Sequence, residues 1–201
     1  MCSSPEMLPL ENSLDLAIKF STWPPAYWLH TKAEIGSQVT MRVGGDFHYP
    51  NPVTDALGGQ GHNLLLVAGG VGINPLASIY RHAARNSHDL NLSQASLLYS
   101  AKSVEELIFK GDLDSISSDN EKLKVKYFIT KQDDDDQVDP NEAVSLGRIN
   151  TDDLRRSLEA FGNGLPTFCY ICGPTSMIQD ISNQLQSLGV PKPHVFYELW
   201  W

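Results

Sequence analysis

One apolar run passes directly into a glycine-rich turn and then into a helix, in LLLVAGGVGINPL (64–76). A continuous apolar stretch is typical of a strand buried on both faces, as in a parallel sheet covered by helices on each side. Glycine lets the backbone turn sharply and approach a ligand closely, and the start of the following helix favours phosphate groups. The third glycine of the G-x-G-x-x-G fingerprint is absent. The run therefore predicts a buried strand followed by a nucleotide-binding turn.

Beyond this turn the pattern alternates between strands and helices. Alternating elements predict a doubly wound α/β fold with a five-stranded parallel sheet, and right-handed crossovers place helices on both faces. The predicted strands are 63–68, 95–101, 124–130, 167–173 and 194–201, and the clearest predicted helices are 74–86, 151–161 and 176–189.

The first 53 residues have a different pattern. LDLAIKF (14–20) and QVTMRV (38–43) alternate apolar and polar residues, which predicts two half-buried strands, with a short helix in PPAYWLH between them. We interpret residues 1–53 as part of an antiparallel β-barrel. The turn-rich residues 54–62 are interpreted as a linker, and residues 63–201 as a nucleotide-binding domain.

A second glycine turn, CGP, follows the fourth predicted strand at Cys172, Gly173 and Pro174. In doubly wound sheets, ligands bind outside the carboxyl ends of the strands, at the point where the strand order reverses. The first and fourth strands flank that point, so we expect the two glycine turns to meet at one crevice.

The charge and cysteine content narrow the function classes. A net charge of −9 disfavours nucleic acid and acidic lipid surfaces as partners. No apolar run approaches the ~20 residues of a membrane span, and no targeting leader is visible.

Three cysteines are typical of a reducing compartment, which predicts an intracellular protein of the cytoplasm or mitochondria. Cys169 and Cys172 form C-x-x-C, but side chains three apart on a strand face opposite sides, so we predict neither a redox pair nor a metal site. The acidic run 132–143 is interpreted as a solvated insertion, since its spacing fits no calcium loop.

The pair AGG-x-G-I-x-P and CGP, followed by Glu198 and a terminal aromatic, resembles the ferredoxin–NADP reductase superfamily, whose relatives include cytochrome b5 reductases. The resemblance covers nearly the whole chain. It implies a FAD-dependent NAD(P)H oxidoreductase, in which a hydride passes from the nicotinamide to FAD and electrons go on to an acceptor that the sequence does not name.

The resemblance also implies roles for individual residues. In this reading the first turn cradles the nucleotide, Cys172 lies beside the nicotinamide C4, and Glu198 is the acid near the flavin. Trp200 stacks on the flavin ring and Trp201 lies near the FAD adenine. The implied nucleotide contacts are Gly69, Gly70, Val71, Gly72, Ile73, Asn74, Pro75, Gly173 and Pro174.

Several departures bear on the cofactors. The family has threonine where Val71 stands, and a Ser or Thr where Ala26 stands. Its R-x-Y-S flavin motif is expected directly before MCSSP, so Ser3 and Ser4 match only the end of that motif, and we expect weak or absent FAD binding by this chain. Lys102 and Lys131 are the candidate partners of a 2′-phosphate. Because aspartates 133–136 follow Lys131, we predict a preference for NADH, with NADPH as the alternative.

Three other classes of protein are the alternatives. A relic that binds nucleotide without flavin, as a binding or regulatory protein, stays open. A short-chain dehydrogenase requires Tyr-x-x-x-Lys, whereas Tyr99 and Lys102 are one residue closer. A thioredoxin-like protein is excluded because no cysteine follows CGP.

Overall fold

The computed structural model describes residues 1–42, 44–131 and 144–199. Its centre is a six-stranded sheet in which every neighbouring pair is parallel. In chain order the strands are β1 (His62–Gly69), β2 (Leu92–Ala101), β3 (Leu123–Ile129), β4 (Val144–Leu146), β5 (Thr167–Gly173) and β6 (Val195–Leu199). Their spatial order is β4-β3-β2-β1-β5-β6, which reverses between β1 and β5. The predicted doubly wound α/β fold is confirmed, with β4 as an additional edge strand.

Helices surround this sheet. They are α1 (Met7–Glu11), α2 (Pro24–Thr31), α3 (Pro52–Asp55), α4 (Ile73–Asn86), α5 (Lys110–Asp119), α6 (Thr151–Phe161) and α7 (Thr175–Ser187), with 3-10 turns at Gly70–Gly72 and Lys192–His194. Among the described residues, no helix combines the length and the apolar character that a membrane span requires.

The two faces of the sheet carry separate cores. Leu64 and Leu66 of β1 pack in one buried cluster that includes residues of α4 and α5. Leu65 and Val67 pack in a second cluster that includes residues of α6 and α7. Because every residue of β1 is buried, its side chains alternate between the two cores, as expected of a central parallel strand.

The predicted antiparallel strands are not found. Residues 13–20 and 38–42 belong to no strand, and Val43 lies outside the described residues. A strand needs a hydrogen-bonded neighbour, and none is present among the described residues 1–42 and 44–61. The alternating pattern predicted that the apolar side chains of these segments are buried. In the structure they are exposed, as at Phe20 and Met41. The partial barrel is therefore not formed in this structure.

Candidate functional site

A cleft of about 600 Å³ opens at the carboxyl ends of the central strands. Its walls come from the turn after β1, the ends of β2 and β3, and the β5–α7 junction. This is the edge where the strand order reverses, so the crevice predicted from the two glycine turns is present. The predicted residues that line it are Gly69, Gly70, Val71, Gly72, Lys102, Gly173 and Pro174.

The two glycine turns touch each other directly. A Cβ added to Gly72 would overlap the carbonyl group of Cys172 and lie 2.7 Å from Gly173 N. A Cβ added to Gly173 would lie 3.1 Å from Gly69 Cα. Gly70 differs, because its φ is +53° and the space beside it is open. Close backbone packing thus requires Gly72 and Gly173, whereas the left-handed conformation favours glycine at position 70.

Three residues of the first turn lie behind the cleft. Ile73 is fully buried in the core, and Pro75 lies in the first turn of α4. Asn74 donates its side-chain Nδ2 to the carbonyl oxygen of Ala17 at 2.8 Å. None of the three is among the residues that line the cleft, so their predicted nucleotide contacts stay predictions.

Cys172 and Glu198 are neighbours across β5 and β6, but neither lines the cleft. The Cys172 side chain is fully buried in the core on the α4 side. Cys169 lies in the opposite core, as predicted for residues three apart on a strand, and burial raises the pKa of its thiol. Partial burial raises the pKa of Glu198 above its ordinary value, and the positive charge of the amino terminus opposes this shift. The two predicted tryptophans, 200 and 201, lie outside the described residues.

Lys102 and Lys131 take different positions. Lys102 lines the cleft, and its carbonyl oxygen accepts a hydrogen bond of 2.8 Å from the backbone N–H of Lys131. Lys131 is exposed, and Thr130 before it lines the cleft instead. The acidic run 132–143 lies outside the described residues.

Ser3 and Ser4 are away from the cleft and buried against α4. The hydroxyl of Ser3 accepts a hydrogen bond from the backbone N–H of Asp15 at 3.1 Å, and that of Ser4 accepts one from Arg85 at 3.0 Å. Both hydroxyls therefore accept hydrogen bonds within the protein, and their predicted contact with a flavin stays a prediction.

The structure adds cleft residues that the motifs did not identify. Lys19 comes from the N-terminal region, Glu106 from the loop after β2, and Arg148 from the residues after β4. Lys19 and Glu106 form an ion pair at 3.4 Å. With Lys102, the described residues that line the cleft include three cationic side chains, and the two acidic ones among them are Glu106 and Asp180. No sequence motif contains these residues, which only the folded chain brings together.

Among the described residues, no group of three or more His, Cys, Asp or Glu side chains could hold a metal ion. The chemistry that the cleft offers is thus backbone approach at two glycine turns, a helix N-terminus at α4 and cationic side chains. These features suit an elongated ligand that carries phosphate groups.

Comparison with known proteins gives a consistent result. A family model, the oxidoreductase NAD-binding domain, matches residues 66–183. The chain is 39% identical over 211 residues to oxidoreductase NAD-binding domain-containing protein 1 of Danio rerio, with all of this chain and 74% of that protein covered. It is 37% identical to the human protein of the same name, of which 64% is covered.

Solved structures show the same fold. The CS-b5R domains of human Ncb5or in the NAD⁺ form superpose with a TM-score of 0.62 and 19% identity, over 77% of this chain and 39% of that one. The FAD/NAD-binding domain of nitric oxide dioxygenase from Vibrio cholerae gives a TM-score of 0.60 and 21% identity, over 87% of this chain and 63% of that one. These similarities establish the fold of the sheet and its helices.

Proposed function

Because the chain belongs to the oxidoreductase NAD-binding domain family, we propose that its cleft binds NADH as the nucleotide-binding part of an FAD-dependent NAD(P)H oxidoreductase. The resemblance to the ferredoxin–NADP reductase superfamily, predicted from the sequence, is confirmed at the level of family and fold. The activity of the whole protein is a proposal, since the chain spans 64% of the human relative.

One observation carries the proposal: the two glycine turns meet at the point where the strand order reverses. Gly70 leaves open space beside a left-handed backbone, and α4 begins immediately after this turn. The diphosphate of a dinucleotide fits there, since free N–H groups and the positive end of the helix dipole both favour it.

The side chains of the cleft complete the proposed contacts. Lys19, Lys102 and Arg148 line it and supply positive charge for phosphate oxygens, with a guanidinium able to bind two oxygens at once. Gly173 and Pro174 leave space for the nicotinamide ring, with Cys172 behind them. Glu198 stays a proposed neighbour of the reacting groups. A flavin, when bound, supplies the acceptor of the nicotinamide hydride.

The described residues do not themselves form a flavin site. Ser3 and Ser4 are buried and hydrogen-bonded within the protein, and residues 13–20 and 38–42 form no strands. No step of a flavin reaction is therefore assigned to these residues. The same observation favours a second candidate function, nucleotide binding without flavin in a binding or regulatory protein.

Titration of the chain with NADH in a calorimeter tests the proposal. Val71 lines the cleft and is 48% exposed, so Val71→Asp should leave the core intact. The new carboxylate would repel the diphosphate, and we expect roughly tenfold weaker NADH binding, about 1.4 kcal/mol. Val39→Asp is the matched control, since Val39 is 54% exposed and does not line the cleft. Equal affinities of wild type and Val71→Asp would reject the cleft as the site.

A visible spectrum separates the two candidate functions. The oxidoreductase requires that NADH bleach the absorbance of FAD supplied in excess faster with the chain than without it. NADH affinity in a chain that does not accelerate this bleaching supports the nucleotide-binding alternative.

A further inference from the structure

A segment of the N-terminal region contacts α4, the helix after the glycine turn, without joining the sheet. Residues 13–20, which we call the strap, form no strand, and none of their side chains is buried. Leu16 and Phe20 are exposed. Because apolar burial contributes little here, polar contacts determine where the strap lies.

Asp15, Ala17 and Lys19, which alternate along the strap, each contact another part of the molecule. The carbonyl oxygen of Asp15 accepts a hydrogen bond of 2.9 Å from the backbone N–H of Cys2. The carbonyl oxygen of Ala17 accepts the 2.8 Å hydrogen bond from Asn74 Nδ2. Lys19 Nζ then lies 3.4 Å from a carboxylate oxygen of Glu106 in the cleft. Asn74 thus holds the strap two residues before the lysine that enters the cleft.

The first attachment depends on α4 as well. Cys2 and Ser3 precede the strap, and Ser78 of α4 donates its hydroxyl to the carbonyl oxygen of Ser3 at 2.7 Å. Asn74 lies one turn earlier on the same helix, at its second residue. Since α4 also follows directly after the glycine turn, one helix positions both the turn and the strap.

We propose that Asn74 is a positioning residue that acts on nucleotide binding through Lys19. This inference rests on the proposed function. Asn74 does not line the cleft, whereas Lys19 does. Its amide fixes Ala17, and the two further residues, which span at most about 7 Å, limit how far Lys19 reaches towards the phosphate groups.

The contact of Lys19 with Glu106 does not hold the lysine by itself. The two side chains are 59% and 38% exposed, and ion pairs of this kind are weak and screened by salt. Lys19 can therefore exchange the carboxylate for a phosphate oxygen, provided that the strap keeps it at the cleft. Without the Asn74 hydrogen bond, the strap between Asp15 and the cleft keeps its contact with His30 of α2. Because α2 has no buried residue, that contact does not replace the attachment to α4.

A double-mutant cycle on NADH affinity tests this coupling. In the wild-type background, Lys19→Met should weaken binding about tenfold, because it removes a charge-assisted contact. In the Asn74→Leu background, which keeps the branched shape of the side chain but removes the donor, the same lysine change should weaken binding less than about threefold. Asn163→Ala, at the opposite end of β1 and β5, is the control background that should retain the full lysine effect. Additive losses would overturn the proposal.

Limited digestion of the nucleotide-free chain with trypsin gives an independent readout, because cleavage after Lys19 requires the strap to leave its position. Asn74→Leu and Asn74→Ala should each accelerate cleavage after Lys19, while the circular dichroism of the chain stays as in wild type. Unchanged cleavage after Lys19 would overturn the inference even if NADH binds. If wild type does not bind NADH but cleavage after Lys19 accelerates, the proposed function fails and the positioning of the strap by Asn74 stands, without its role in binding.

Discussion

The Cα of Gly72 lies against the peptide group that joins Cys172 to Gly173. The residue has an ordinary helical φ of −62°, so the close approach, not the backbone conformation, requires glycine here. A side chain at this position would push the first turn away from β5, which narrows or distorts the cleft whether or not a ligand is present. Substitution of Gly72 is therefore a test of the fold before it is a test of binding.

We expect Gly72→Ala to lower the free energy of unfolding by about 1–3 kcal/mol, the usual range for overpacking. Gly111→Ala is the matched control, because Gly111 lies in α5 with open space beside it, and there alanine should be neutral or stabilise by about 0.5–1 kcal/mol. Urea denaturation measures both. Identical midpoints for wild type and Gly72→Ala would contradict the close packing of the two turns.

The preference for NADH over NADPH also depends on single residues. Glu106 lines the cleft, and its carboxylate would repel the additional phosphate of NADPH. We predict that Glu106→Gln improves NADPH affinity relative to NADH about tenfold. Glu105→Gln is the control, since Glu105 does not line the cleft. Dissociation constants for both nucleotides at equal ionic strength provide the measurement. Tighter binding of NADPH than of NADH by wild type would contradict the predicted NADH preference.

At the scale of elements, α6 shows why some boundaries could be predicted. Asn150 accepts hydrogen bonds from the backbone N–H groups of Asp152 and Asp153, and Gly162 ends the helix at φ +55°. Both signals lie within the segment itself, so the predicted helix 151–161 agrees with the structure at both ends. The same holds for β5, a short apolar run closed by Gly173.

The cap of α6 also predicts a pH dependence. Burial by itself raises the pKa of Asp153, but the backbone N–H of Asn150 and the side chains of Arg156 and Lys126 outweigh it, so the pKa is lowered. A lowered folded-state pKa means that the ionised carboxylate stabilises the fold above the unfolded value of about 4, and that this contribution is lost as pH falls through the folded-state pKa.

Asp153 is only 5% exposed, so we expect Asp153→Asn to cost about 1–2 kcal/mol of unfolding free energy at pH 7. The difference from wild type should shrink steadily as the pH is lowered below about 4. Asp152→Asn is the control, because Asp152 is in the same turn but exposed, and it should cost under about 0.5 kcal/mol. Denaturation curves across pH test this, and a constant difference would show that the charge of Asp153 contributes nothing.

Residues 14–20 show where reasoning from the local pattern fails. Their alternation is that of a strand, but a strand also needs a partner, and no residue in the segment specifies one. In the structure their carbonyl groups bond to Cys2, Asn74 and His30 instead.

The prediction that two glycine turns share a crevice succeeded because topology alone brings the ends of β1 and β5 together. Lys19, Glu106 and Arg148 could not be predicted, since each reaches the cleft from a segment whose path depends on the whole fold.

At the scale of the whole molecule, the region of the sheet and residues 1–42 differ in how far their apolar side chains are buried. Residues 47–131 and 144–199 contain both cores of the sheet. Residues 1–42 expose large apolar side chains, among them Phe20 at 57% and Trp23 at 74%. A flavin ring binds between apolar surfaces that are already in place, because ordering them on binding costs affinity. Here the apolar side chains lie on the strap and on α2, a helix that has no buried residue.

We therefore predict that this chain binds NADH but retains substoichiometric FAD when it is purified in the presence of the cofactor and desalted. The nucleotide cleft depends on β1, β5 and α4, which the sheet holds rigidly, whereas the flavin contacts depend on residues that are engaged elsewhere or lack a partner strand. The same exposed side chains should make the chain self-associate as its concentration rises, which sedimentation velocity measures. Trp23→Ser should reduce the association without changing NADH affinity, because Trp23 does not line the cleft. One FAD per chain after desalting would contradict the prediction and would mean that residues 1–42 form a flavin site in solution.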